Sequence, residues 1–202
     1  MLHNIYPSNQ LRSLFRSKYT EYEAKSVHPK LVEEFISEGW VIEKRNKNSV
    51  RIRRPKSHGT LLEDKVWLLF YRMGFSYLSA AGGAKLSLSA KEPKGPQSQI
   101  DVVAIDDEVA IAIECKSSEK HAKRPQFQEE LGKLSLIREK FSHSVNNQYS
   151  SKAKQQIVLA MFITNIGLSD HDKERAKQAN VQIFEEKDIE YYQQLVNHIG
   201  PA

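Results

Sequence analysis

Apolar positions along the chain recur with two distinct periods. Leu62, Val66, Leu69, Phe70 and Met73 return every three or four residues, the spacing of one face of an α-helix, and Gly74 closes it. A short strand at Lys85–Leu88 follows the Gly82-Gly83 turn, and residues 92–98, rich in Pro and Gly, read as a loop. Ile100–Ile105 and Val109–Cys115 then read as two strands joined by a tight turn at Asp106-Asp107-Glu108. A second helix is predicted from Gln126 to Phe141 on Phe127, Leu131, Leu134 and Phe141, with a polar loop over residues 142–155. Ile157–Thr164 is a nearly continuous apolar run, as suits a buried central strand. A charged helix (Asp170–Ala179), a strand (Val181–Phe184) and a last helix (Asp188–His198) complete the pattern.

Upstream of Thr60 the signal is weaker. Residues 1–25 are polar and poorly periodic, with one short helix read at Leu11–Tyr19. Pro29 suits a first helical turn, and Leu31, Val32, Phe35 and Ile36 form a stripe ending at Gly39. Trp40, Ile42, Val50 and Ile52 alternate with polar residues around Asn46-Lys47-Asn48, a β-hairpin with Arg51 and Arg53 on the face opposite Val50 and Ile52. The expected architecture is α/β: a mixed central sheet flanked by helices over residues 56–202, and a small α/β N-terminal extension over residues 1–55.

Composition narrows the classes. At 202 residues, 40% hydrophobic and 27% charged, the chain can bury a core without disulfides. No apolar run reaches the roughly 18 residues of a membrane span, and residues 1–10 lack a secretory pattern. The lone Cys115 suits a reducing compartment, so a cytoplasmic location and no membrane partner are expected. The net charge of +5 is unevenly spread. Lys44, Arg45, Lys47, Arg51, Arg53, Arg54 and Lys56 fall within one stretch that contains no acid. Charge on an exposed edge strand also discourages aggregation, but seven basic residues exceed that need. Arg51, Arg53, Arg54 and Lys56 are therefore candidate contacts to a DNA backbone, giving affinity without base readout.

One segment carries candidate chemistry: Gln99-Ile-Asp101, and then Ile-Glu114-Cys115-Lys116 on the next strand. Side chains two apart on a strand share a face, so Glu114 and Lys116 point one way with Ala110 and Ala112, whose small side chains admit a close helix. Ile111, Ile113 and Cys115 point the other way. The turn brings Asp101 opposite or beside Glu114. Two buried carboxylates repel and call for protons or a cation between them. Mg²⁺, with Mn²⁺ as substitute, takes one or two carboxylates and keeps waters for phosphate oxygens. Lys116 then stands where it could orient or deprotonate a water, or neutralise charge on a phosphate. A bare Glu114–Lys116 ion pair, with Asp101 as a turn residue, is the structural alternative.

Helix with an internal Glu, strand, Asp-initiated strand, Glu-x-Lys strand, helix, strand: over residues 60–184 this order resembles the PD-(D/E)XK nuclease superfamily, nearest its Mrr-like, restriction-endonuclease-like branch. The resemblance implies that Asp101 and Glu114 bind Mg²⁺, that the Cys115 carbonyl completes the metal site, and that Lys116 assists the nucleophilic water. Ile100 stands where the motif has Pro. Glu63 matches the helix Glu that joins the metal site in such families; a first-turn Glu facing solvent is the alternative. Gln126 and Gln128 are candidates for the Gln after Glu-x-Lys, with Gln128 preferred, and Gln99 is a further accessory candidate. Arg53-Arg54-Pro55-Lys56 and the ending His198-Ile-Gly-Pro-Ala resemble the nuclease-like N-terminal part of some DGQHR-domain proteins, which implies further domains in a longer protein.

Other motifs are absent. The seven His residues show no metal-ligand spacing, Gly82-Gly83-Ala84-Lys85 is not a phosphate loop, and no nucleophile elbow occurs. The expectation is a Mg²⁺-dependent DNA endonuclease in restriction, defence or DNA processing. Cutting both strands calls for two active sites, which a homodimer would supply. The rivals are a non-catalytic nucleic-acid-binding module on the same fold and a structure-selective repair or junction nuclease.

Overall fold

The structure is a computed structural model describing residues 1–88, 96–123, 127–149 and 154–199. Among these, six α-helices and three sheets give a mixed α/β fold. In chain order the elements are β1 (Leu2–His3), β2 (Ile5–Pro7), α1 (Arg12–Lys18), β3 (Tyr22–Val27), α2 (Val32–Ser37), β4 (Val41–Arg45), β5 (Val50–Pro55) and α3 (His58–Arg72). There follow β6 (Tyr77–Ser79), β7 (Ala84–Ser87), β8 (Gln97–Ile100), β9 (Val102–Ile105), β10 (Val109–Lys123), α4 (Phe127–Gln148), β11 (Gln156–Gly167), α5 (Asp170–Gln178), β12 (Val181–Phe184) and α6 (Glu186–Ile199).

The main sheet has the order β12-β11-β10-β9-β6-β2. β10, β11 and β12 are parallel, whereas β9, β6 and β2 join antiparallel. The strand faces divide as the two-residue period requires. Ala110 and Ala112 lie under α4, packed with Phe127, Leu131 and Leu134. Ile113 and Cys115 face the opposite layer with Leu62, Val66, Trp67 and Phe70 of α3. Trp67 donates its indole N–H to the Ser79 carbonyl at 2.7 Å, and Ser79 Oγ accepts the Val103 N–H at 3.1 Å, fastening α3 to β6 and β9.

Three departures from the sequence pattern have physical causes. The predicted strand from Ile100 to Ile105 is broken at Asp101: β8 pairs with β7 in a separate sheet with β1, and only β9 continues beside β10. The second helix does not stop at Phe141 but runs to Gln148, because buried Val145 extends the stripe by one more turn into the span read as a loop. Residues 1–27 contain three strands as well as the helix α1. β1 and β2 are too short to show alternation, and they pair with β7 and β6 of the main body. In β3, Lys25 stands opposite Ile52 on the apolar side but stays exposed, its Nζ 3.7 Å from the Phe35 ring centroid and 4.4 Å from that of Trp40, so the alternation is hidden.

The hairpin of β4 and β5 is present around Asn46, whose N–H donates to the Ser49 carbonyl at 2.8 Å. β3 adds to it, giving the order β3-β5-β4, with Val27, Trp40, Val50 and Ile52 packed against Val32 of α2. No helix among the described residues is long and apolar enough to cross a membrane.

Candidate functional site

The site forms where the main sheet splits. The antiparallel register pairs Ile113 with Val102, so that Glu114 and Asp101 are the next residues beyond the end of the paired stretch. At that step the chain bends out of β9 into β8, so β10 loses its partner on that side while β11 still pairs with Glu114, Cys115 and Lys116. Asp101 Oδ2 accepts the Cys115 N–H at 2.8 Å, a backbone amide that the departing strand leaves to a side chain. The bend is shaped by Gly83, at φ +73°. A Cβ there would stand 2.4 Å from the Ile100 carbonyl oxygen and 3.0 Å from that of Asp101.

Lys116 donates to Glu114 Oε1, and its ammonium is 3.9 Å from Glu130 Oε1. Glu130, on the first turn of α4, is a residue the sequence reading missed; its only signal was a place at the edge of the Phe127–Leu131 stripe. Glu63 of α3 joins electrostatically from the other face of the sheet. Burial pushes its carboxyl up, Lys18 opposes this, and Asp64 and Glu114 add to it. Burial likewise raises the Asp101 carboxyl, against the Cys115 amide bond, and Glu63 raises it further. The Glu114 carboxyl is raised by burial first and then by Asp101. For Lys116 burial pulls downward, but the hydrogen bond and charge of Glu114, with Glu130 and Asp101, leave it above its ordinary value. The buried Cys115 thiol is pushed well up by burial and the surrounding acids, which makes it a packed apolar group rather than a nucleophile.

Two carboxylates, Glu114 and Glu130, thus stand within 4 Å of one ammonium, and Asp101 and Glu63 act on it at longer range. The charge balance fits a cation, and a cleft of about 190 Å³ opens beside Glu114, Lys116 and Glu130. Among the described residues no three Asp, Glu, His or Cys side chains stand close enough to enclose one ion. A cation here would take two carboxylates and keep waters, the habit of Mg²⁺. Gln99 lines the same cleft from β8. Gln128 is exposed on α4, and Gln126 lies outside the described residues.

The basic run is less free than its linear sequence suggested. Lys56 is turned inward: its ammonium, on a side chain only 7% exposed, bonds Asp64 Oδ2 at 2.7 Å and the Ser17 carbonyl at 2.8 Å. Lys18 bonds the other oxygen of Asp64 at 2.6 Å. Arg51 pairs with Glu43 at 2.7 Å and Arg54 with Glu23 at 2.6 Å. The fold therefore brings acids from other segments to three of the four candidate contacts. Arg53 makes no ion pair among the described residues; its guanidinium lies 5.2 Å from the Tyr22 ring centroid. Arg51 and Arg53 do share the exposed face opposite buried Val50 and Ile52.

No family model matches the chain, and no curated protein matches its sequence. Solved structures with a similar course include protein VC1899 from Vibrio cholerae (14% identity, TM-score 0.43, 96% of this chain and 51% of that one). Can2 from Sulfobacillus thermosulfidooxidans in complex with cyclic tetra-adenylate is 15% identical, with a TM-score of 0.42 over 94% of this chain and 52% of its own. A protein of unknown function, AF1548, is 18% identical, with a TM-score of 0.38 over 65% of this chain and 63% of its own. The chain spans about half the length of the first two. Likeness of this degree assigns no chemistry to it.

Proposed function

We propose that the chain is a Mg²⁺-dependent DNA endonuclease of the PD-(D/E)XK type, hydrolysing phosphodiester bonds. The observation that carries this reading is the meeting of Asp101, Glu114 and Lys116 at the split between β9 and β10, with both carboxyls raised by shared burial. Asp101 and Glu114 would hold the ion, with the Cys115 carbonyl as a further oxygen and Glu63 adding negative charge from α3. A bound Mg²⁺ supplies positive charge for the phosphate oxygens and acidifies water. The Lys116 ammonium is hydrogen-bonded by Glu114, which favours its charged form. Its role is to orient the attacking water and offset charge on the phosphate, rather than to take a proton. Arg51, Arg53 and Arg54 would bind the DNA backbone, and a homodimer would supply the second site for a double-strand cut.

The test is cleavage of plasmid and linear DNA with Mg²⁺ or Mn²⁺ by wild type, Asp101→Ala and Lys116→Ala. Each variant is expected to lose at least about 100-fold in rate. Equal residual activity in all three removes the mechanism. The rival reading, a nucleic-acid-binding module without turnover, is favoured by the Lys116–Glu114 bond, which already engages both groups. DNA binding unaffected by EDTA, with no nicking of plasmid, linear or branched DNA, would establish the rival. Faster cutting of branched than of linear duplexes would identify a junction nuclease.

A further inference from the structure

The small sheet β3-β5-β4 is covered on one side only. In its antiparallel pairs Tyr22 stands opposite Pro55, Ala24 opposite Arg53 and Ser26 opposite Arg51, and opposed residues share a face. That face turns away from α2. Its centre is low, because Ala24 and Ser26 are small, and its rim carries Tyr22, Arg51 and Arg53. The Tyr22 ring remains 36% exposed with the Arg53 guanidinium beside it. The same face forms one wall of a cleft of about 450 Å³, lined by Tyr22, Ala24 and Arg51 on one side and by Thr60 and Glu63 on the other. The cleft therefore runs from an open aromatic and basic surface to a carboxylate of the candidate site. Its lining carries Lys18, Lys56 and Arg51 against Glu23, Glu63 and Asp64, so the cleft itself is balanced and the basic surplus lies at its rim with Arg53.

We infer that this cleft takes a single strand of DNA, with Tyr22 stacked on a base and Arg51 and Arg53 on its phosphates, and leads the strand to Glu63. The inference rests on the nuclease reading and names its substrate class. A duplex keeps its base faces inside the stack, so an exposed ring can reach one only in an unpaired strand. The cleft is closed on a further side by α1 through Leu14 and Ser17, and its volume is that of a small-ligand pocket, too small to hold a duplex. Arginines beside an exposed aromatic ring provide both parts of such a binding groove, charge for the backbone and a plane for the base.

Binding is measured in EDTA, where no cleavage occurs, by fluorescence anisotropy of a labelled oligonucleotide of about 12 nucleotides. The single strand is expected to bind at least about tenfold more tightly than a hairpin duplex of the same sequence. Tyr22→Ala is expected to weaken it about tenfold or more, Tyr22→Phe to keep it, and Arg53→Gln to lower the salt dependence by about one phosphate contact. Thermal melts of each variant establish that it is folded. Tighter binding of the duplex, tighter binding of RNA of the same sequence, or wild-type affinity in Tyr22→Ala overturns the inference. Its failure is separable from that of the nuclease reading. Cleavage of duplex DNA with Tyr22→Ala unaffected sinks the cleft alone, whereas tight single-strand binding without any cleavage sinks the enzyme alone.

Discussion

Asp101 shows how a buried acid can be costly to the fold while serving the site. Its carboxyl is raised by burial and by Glu63, more than the Cys115 amide lowers it. A carboxyl whose folded pKa lies above its unfolded value favours the fold when protonated. That contribution is present below the ordinary value of 3.8 and is lost as pH rises through the folded value. At pH 8 in EDTA, Asp101→Asn should therefore raise the melting temperature, with the gain fading toward pH 4. A lower Tm at pH 8 would contradict the charge argument. At this scale the sequence was informative about Asp101, Glu114 and Lys116, because strand period and one turn length bring them together. It was silent about Glu130, Lys18 and Asp64, whose roles arise from tertiary neighbours rather than from spacing.

The elements around the site depend on two adjacent glycines used differently. Gly82 (φ +78°) has open space where a Cβ would stand, whereas at Gly83 (φ +73°) the Cβ would collide with the Ile100 and Asp101 carbonyls. Gly82→Ala is expected to cost about 1–2 kcal/mol from backbone strain and to leave cleavage intact. Gly83→Ala should cost about 2–4 kcal/mol and, by pushing the β8–β9 bend, reduce cleavage out of proportion to its stability. Melting temperature and rate measured on the same preparations separate the two, and equal behaviour would show that the bend does not set Asp101. The turn at Gly82-Gly83 was legible, but its purpose was not, since the clashing atoms lie 17 and 18 residues away in sequence. The helices and the apolar strand β11 were read well because their stripes are long. β1, β2 and β3 escaped because two strands are too short for a period and the third sets an exposed lysine on its apolar side.

On the scale of the whole molecule, Asp64 joins three segments: α1 through Lys18, the end of the small sheet through Lys56, and α3 itself. Its side chain is 8% exposed, beside 12% for Lys18 and 7% for Lys56. Asp64→Ala would leave two ammonium groups without their shared carboxylate, at a cost of about 3–5 kcal/mol in urea unfolding. A loss below about 1 kcal/mol would mean that the lysines turn to solvent instead. Sequence pattern indicated an α/β body with a basic extension, but not that residues 2–7 would supply strands to that body, because edge pairing is a property of the sheet and not of the strand. The bond between the Asp101 carboxylate and the Cys115 amide also has a mechanical effect. It ties the acid to the main chain of the very strand that bears Glu114, so both groups ride on one frame. Breathing of the neighbouring loops then carries them together, and the spacing between them is kept without the rest of the protein having to be stiff.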